Sequence, residues 1–448
     1  MFTNFGEEFE QENLARKIVD NETGRTTYEP LPGVDLEEVG KKLCKLMFGS
    51  TYELWLNRVG NAQRFLERMY WPGVDTAVNA TFAGIVPDEN GMLSPQQIEG
   101  IDAKTLFKIM RLRGGRKENE QGKAIKGIIL SQKLASEYAK SNAFFDAVVD
   151  FPLTVDLSHV ASAINLFHGV KAKRGCLKLT GCGGIKKAGY MFAGAEIDDD
   201  LVLDMPELDA ANAMFKCSTV HSLKLTAPKV EVATTTFKEA DCGGFIPTFP
   251  AATLLNGMFA GYKGVVKVGD LSKSFPKAKN TVEMFKDAKV MLEDAVTIPE
   301  SCVETTGMFM NAEISQGSSK WVSFSMKGAT IAHQMFDSCS GINVSIGPID
   351  APKLKSANGM FKDFKTLQRV ANFKGDVGDA EEMFMGCTGI KSLPMPYWIL
   401  GKDSAGSENM FANTALAVIY GKNGERLAEM TRFFRSKAQN APAAAQAS

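Results

Sequence analysis

The residues best suited to nucleophilic, redox or metal chemistry in this chain are eight cysteines and four histidines. They are Cys44, Cys176, Cys182, Cys217, Cys242, Cys302, Cys339 and Cys387, with His159, His168, His221 and His333. No CxxC pair occurs, so the paired ligand spacing of a zinc site is missing. The cysteines read as free thiols. Cys217, Cys242, Cys339 and Cys387 follow a recurring phenylalanine by two to five residues. A small apolar side chain packs there, and a buried free Cys serves that role. Disulfide or metal use stays open chiefly for Cys176 and Cys182, which fall in adjacent strand and turn positions. The histidines form no constellation with a nucleophile, and a hydrolase needs nucleophile, base and acid within hydrogen-bond reach.

Three further stretches carry chemistry in principle. GCLKLTGCGGIKK (175–187) has glycines followed by lysines but lacks the GxxxxGK[ST] spacing that cradles phosphate, and it reads as a repeat loop. The run IDDD (197–200) lacks a DxDxDG pattern and reads as a solvated turn. Lys108, Arg111, Arg113, Arg116, Lys117, Lys123 and Lys126 flank a Gly-Gly pair. They read as a solvated helix end, or as a docking patch for an acidic partner or nucleic acid. The expectation is therefore no catalytic residue, no cofactor-binding residue, no metal ligand and no bound cofactor.

The element that positions most of these residues is a repeat. Aligned on one phenylalanine per unit, the anchors are Phe145, Phe167, Phe192, Phe215, Phe237, Phe259, Phe285, Phe309, Phe336, Phe361, Phe384 and Phe411, spaced 22 to 27 residues apart. That makes twelve units with a solenoid-like period. Met precedes the anchor in nine units, the exceptions being Phe144, Leu166 and Thr236. Three residues after it stands a small side chain in most units: Ala195, Ser218, Ala240, Ala288, Ala312, Cys339, Cys387 and Thr414, with Val170, Tyr262 and Phe364 departing. A β-type stretch follows, as in LVLDMP (201–206), HSLKLTAP (221–228), VVKV (265–268), VSFSM (322–326), INVSIGP (342–348) and IKSLPMP (390–396). One such unit cannot bury its own apolar face. Stacked units can, with a phenylalanine ladder and Met filling the gaps beside it.

This pattern resembles the BspA-like leucine-rich repeat, over about residues 140–421, and TIPESCVETTGMFMNAEI (297–314) is similar to that family's proline-led variant. The resemblance implies an α/β repeat solenoid with a short strand and a helical turn in each unit. It also implies a role in adhesion or partner binding, since members are often cell-surface proteins, some of them in parasites and phages.

Around the repeat, residues 1–34 read as an extended arm. The segments 35–49, 51–70, 94–113 (Ser94 as N-cap, Pro95 at the first position) and 123–140 have helical spacing. Residues 35–140 are thus expected to be an α-rich N-terminal module or cap and 141–421 the solenoid. A capping helix over 422–439, carrying Met430, Phe433 and Phe434, and a disordered tail over 440–448 complete the expected organisation.

Apolar residues make up 44% and charged residues 23% of the 448 positions, enough for a continuous core. The net charge of −1 argues against a general nucleic-acid binder. The N-terminus has no apolar stretch of the secretory kind, and no apolar run reaches the length of about 18 residues that spans a membrane. The expectation is synthesis in the cytoplasm and a non-enzymatic interaction protein in a larger assembly, a phage virion being one candidate. The alternatives are a surface adhesin exported by another route and an enzyme with a carboxylate site in 1–140.

Overall fold

The computed structural model describes residues 15–19, 26–30, 87–101, 106, 125–140, 148–244, 246–317, 321–341, 344–371, 373–375, 377–393, 407–426 and 429. They form a parallel β-solenoid with little helix. Two compact units divide the chain: 1–160 with 169–182, and 161–168 with 183–448.

In the second unit the anchors build the spine. Phe167, Phe192, Phe215, Phe237, Phe259, Phe285, Phe309, Phe336, Phe361, Phe384 and Phe411 stack in ten successive pairs. Ring centroids are 5.1–5.7 Å apart and planes lie within 13°. That separation lies within the range for stacked aromatic rings. The Met before each anchor is fully buried, as is Thr236 in its place, whose Oγ1 donates to the Ala211 carbonyl at 2.9 Å. Each anchor N–H from Phe167 to Phe384 donates to the carbonyl of the residue preceding the next anchor, at 2.7–2.9 Å. Five residues before each anchor, a parallel bridge joins Ser162, Lys187, Ala210, Val232, Leu254, Asn280, Glu304, Ile331, Ser356 and Asp379 in turn. Every insertion that varies the repeat length is thus absorbed elsewhere, and the register around the anchor is constant.

The segment around each anchor is not helical. Residues two before and two after every described anchor have φ between 50° and 73°. An L-residue pays roughly 1–2 kcal/mol to adopt this left-handed region. The unit is a run of linked three-residue-spaced turns, as in Met214 N to Ala211 O, Lys216 N to Ala213 O and Ser218 N to Phe215 O. The periodicity that suggests a helical turn comes from these turns. The left-handed residues interrupt any α-helix and free the anchor N–H for the next turn of the solenoid.

Opposite the turns lie the longer strands. Glu196–Asp204 pairs in parallel with Thr219–Thr226. A second sheet orders Val265–Asp270, Lys289–Thr297, Val322–Ser325, Val344–Asp350 and Leu367–Val370, with Glu313–Gln316 and Phe373–Lys374 paired beside Lys289–Thr297 and Val344–Asp350. Alternate side chains point inward: Val290, Leu292 and Val296 are buried while Lys289, Glu293 and Ala295 face out. Of the expected stretch 390–396, residues 390–393 carry no strand, and 394–396 lie outside the described residues.

The first unit also departs from the helical expectation. Its parallel sheet contains Met92–Leu93, Gly127–Ser131, Leu153–His159 and Leu177–Thr180, with Val148–Val149 paired to Lys171–Ala172. The segment 123–140 is therefore a strand followed by a helix, Gln132–Lys140. Gly127 marks why: a Cβ there would lie 2.2 Å from the Thr154 carbonyl oxygen, so the strand packs too close for any other residue. Ser94 does precede a helix with Pro95 first, Pro95–Ile98, and Gln97 Oε1 accepts the Ser94 N–H at 2.8 Å; of the rest of 94–113, Leu106 is helical, and 102–105 and 107–113 lie outside the described residues. Within 1–34, Ala15–Val19 and Thr26–Pro30 form an antiparallel pair. The expected helices at 35–49 and 51–70, the anchor Phe145, and the tail 440–448 lie outside the described residues.

At the far end, Leu416–Tyr420 is a short helix. Tyr420 sets its ring 5.7 Å from Phe411, and the Phe411 N–H donates to the Lys422 carbonyl. The described part of the expected capping helix is 422–426 and 429, of which Glu425, Arg426 and Glu429 are helical; the rest, including Met430, Phe433 and Phe434, lies outside the described residues. No helix of the described residues is long and apolar enough to cross a membrane.

Candidate functional site

The constant register sorts side chains into outward columns. Residues three and five before the anchor alternate along the bridged edge and point away from the Phe ladder. In turns anchored by Phe285 to Phe384 these positions, Val282 and Ile331 excepted, carry polar side chains, several of them hydrogen-bonded. Asn280 Nδ2 donates to Glu304 Oε2 at 3.3 Å, and Thr306 Oγ1 to Glu304 Oε1 at 3.2 Å. Asn358 Nδ2 donates to Glu381 Oε2 at 3.1 Å. In the earlier turns the same columns are mixed: Ile164, Ala210, Val232 and Leu254 alternate with Ser162, Lys187, Asn212, Thr234 and Asn256, and Ile164 and Leu254 are 40% exposed. One edge of the array is thus mixed over one half and predominantly polar over the other.

Within the polar half, His333, Ser356 and Asp379 form a chain. His333 Nε2 lies 2.5 Å from Ser356 Oγ, and Ser356 Oγ donates to Asp379 Oδ2 at 2.7 Å. The order matters. In nucleophilic catalysis the histidine stands between serine and acid and accepts the hydroxyl proton. Here the serine stands in the middle and its one hydrogen goes to the carboxylate. The imidazole nitrogen must then donate to Ser356 Oγ, which fixes the tautomer and removes the histidine from the role of base to the hydroxyl. The group acts as an inter-turn clip. Sequence spacing carried a signal for part of it, since Ser356 and Asp379 both precede their anchors by five and so fall on adjacent rungs.

The structure separates the other residues with chemical potential. His159, His168 and His221 are exposed at different points of the fold. Of the seven described cysteines all but Cys217 are buried. Cys339 and Cys387 donate Sγ–H to the Phe309 and Phe361 carbonyls of the preceding turn at 2.8 and 2.7 Å. Burial pushes the Cys387 and Cys242 thiols up to about 12 and raises Cys302 and Cys339 as well. Cys217 corrects the expectation of a buried packing residue. It occupies the left-handed position after Phe215, points outward, and contacts Glu239 Oε2 at 3.5 Å. Burial and that carboxylate raise its pKa.

Ile197–Asp200 lies inside the strand Glu196–Asp204 and not in a turn, with Asp198 and Asp200 facing out. Among the described residues no group of three or more His, Cys, Asp and Glu could hold a metal ion. The stretch 175–187 contributes the strand Leu177–Thr180, and its Lys187 is a rung of the bridged edge. Of the basic cluster, Lys126 is exposed; the others lie outside the described residues.

A compact charged group completes the surface. Lys362 Nζ meets Glu382 Oε2 at 2.7 Å and also feels Asp337 and Asp363, so its pKa is raised. Burial raises the Asp337 carboxyl, while the Ser338 hydroxyl, which donates to it at 2.7 Å, lowers it. No protein-family model, curated protein or solved structure matches this chain.

Proposed function

We propose that this chain is a non-enzymatic structural and interaction protein whose solenoid binds a protein partner within a larger assembly. The observation that carries the reading is the register. A ladder of eleven phenylalanines, held by an inter-turn backbone bond at each anchor, fixes the outward columns as one continuous edge, mixed in its first half and predominantly polar in its second. Stacked repeats present extended surfaces of this kind to partners. The His333–Ser356–Asp379 chain supports the same reading, because its hydrogen bonds tie turns together and remove the histidine from the role of base to the hydroxyl. The Met-Phe mark keeps its likeness to the BspA-like leucine-rich repeat, and with it the proposal extends to an adhesive or virion-type assembly of a phage.

Cross-linking of the native assembly followed by mass spectrometry tests this. Cross-links from Lys187, Lys279 and Lys355, which lie on or beside the bridged edge, to a second protein are the expected result. Recovery of the chain only as a free monomer, with all cross-links internal, overturns it. A substitution that charges two apolar residues of the edge, Val232→Arg with Leu254→Arg, is expected to weaken partner capture at least about tenfold, as loss of a central apolar contact does. Unchanged capture would place binding on another face.

A further inference from the structure

The long-strand face of the second unit is divided between two sheets. Thr219–Thr226 ends one sheet and Val265–Asp270 begins the next. The turn between them would be expected to supply a strand after Phe237, but the described residues 242–244 and 246–250 form none. Pro247 and Pro250 explain part of this, since neither has an N–H to give to a ladder. Gly243 and Gly244 explain the close passage: both have positive φ, and a Cβ on Gly244 would lie 2.4 Å from the Val265 carbonyl oxygen.

A side chain takes over the missing backbone bonds. Tyr262 stands three residues after Phe259, where most turns have Ala, Ser or Cys. Its ring packs edge-on against Phe259, 5.5 Å between centroids, and is 2% exposed. Its hydroxyl oxygen accepts the Cys242 N–H at 2.7 Å and the Gly244 N–H at 3.2 Å. A phenol oxygen can accept from two donors at once, and here it does so where a neighbouring strand would have offered carbonyls. Across the same turn the other face is intact. Phe237 stacks on Phe259 at 5.2 Å, and Val232 bridges Leu254.

We infer that this turn is a built-in seam at which the sheet face of the solenoid opens locally, with the continuous Phe ladder as its closed side and the Tyr262 hydroxyl as its latch. Thr219–Thr226 meets this turn only at the Thr219–Asp241 bridge, and the described residues of 242–250 keep one inter-turn backbone bond, Phe249 N–H to the Ser274 carbonyl, beside the Tyr262 hydroxyl, so fewer bonds need break here than within the second sheet. Local opening free energies follow such differences. The device rests on the fold and not on the proposed partner binding.

Hydrogen–deuterium exchange on the full chain tests it. In the wild-type protein, backbone amides of Thr219–Thr226, 242–250 and Val265–Asp270 should exchange at least about tenfold faster than those of Lys289–Thr297 and Val344–Asp350. Tyr262→Phe keeps the ring and removes the acceptor. It should speed exchange around the seam by a further factor of about ten and leave Val344–Asp350 unchanged. Equal protection of all five segments in the wild type overturns the seam. Unchanged or uniformly raised exchange in Tyr262→Phe overturns the latch. The wild-type comparison stands even if the variant folds poorly.

Discussion

Phe309 has the rings of Phe285 and Phe336 stacked on its two faces at 5.3 and 5.2 Å, and its side chain is fully buried. Truncating it removes both stacking contacts and leaves a cavity that two rigid neighbours cannot fill. Phe309→Ala should cost about 3–5 kcal/mol, read from the shift of the denaturant midpoint. Beside the ladder, the left-handed positions oppose local preference. Asn, Asp and Gly occupy many of them, but Thr235 sits there at φ 53°. A β-branched residue is poorly suited to this region. Asn tolerates it and adds no glycine entropy, so Thr235→Asn should raise stability by about 1 kcal/mol. A loss of stability would show that the Thr235 methyl, which lies against Gly257, outweighs the backbone strain. Cys217 is the third residue-scale case. Of the seven described cysteines it is the exposed one, so alkylation of the folded chain followed by peptide mapping should modify Cys217 first. Faster labelling of Cys339 or Cys387 would contradict their buried donation to Phe309 and Phe361.

The short helix Leu416–Tyr420 does for the last turn what a further repeat would have done. Its Tyr420 covers the free side of the Phe411 ring, and Asn423 Oδ1 accepts the Asn409 N–H at 2.9 Å. Tyr420→Ala should therefore loosen the end selectively. Exchange at 407–424 should rise while Lys289–Thr297 keeps its protection, as expected when repeats contact only their neighbours. A uniform rise would mean that the array unfolds as one unit. This cap also shows where sequence reading ran out. The pattern of charged and apolar residues after Gly421 suggested a helix beginning at 422. The structure has helical residues there, at Glu425, Arg426 and Glu429, and adds before them a separate short helix in LAVIY, where Val418 and Ile419 are exposed and give no amphipathic signal. Anchors, their Met partners and the small residue that follows were legible because each is a packing requirement repeated at one register. The turns were not, since a left-handed residue can be Tyr190, Thr235 or Glu283 as well as Gly, and the linked turns mimic helical spacing. Gly127–Ser131 was misread for a related reason: five residues of small and apolar type have no periodicity of their own. The polar clip was half legible, through the shared register of Ser356 and Asp379. His333, at the other column, required knowing that both columns face the same side.

Across the whole molecule the buried thiols and Tyr262 tie stability to pH. Tyr262 is raised to about 12, chiefly by burial. Cys242 and Cys387 reach about 12 for the same reason, and Cys302 and Cys339 are raised too. In the unfolded chain a thiol loses its proton near about 8.5 and a tyrosine near about 10. Between those values and the folded ones, the unfolded state holds fewer protons than the folded state, so stability falls as pH rises. The contribution is fully present below about pH 8.5 and is lost progressively towards about pH 12. The denaturant midpoint should accordingly stay level, as far as these groups are concerned, up to about pH 8.5 and decline above it. The double variant Cys339→Ala, Cys387→Ala separates this cause from general alkaline effects. Alanine already stands at the same register in the turns of Phe285 and Phe309, as Ala288 and Ala312, both buried, so the array accepts it. Two titrating thiols are gone from the variant, and its midpoint should fall less steeply between about pH 8.5 and 12. An identical slope in variant and wild type would mean that these two thiols do not set the alkaline limit. A thiolate formed at Cys339 or Cys387 removes the Sγ–H bond to the Phe309 or Phe361 carbonyl, and so loosens the contact with the turn before it.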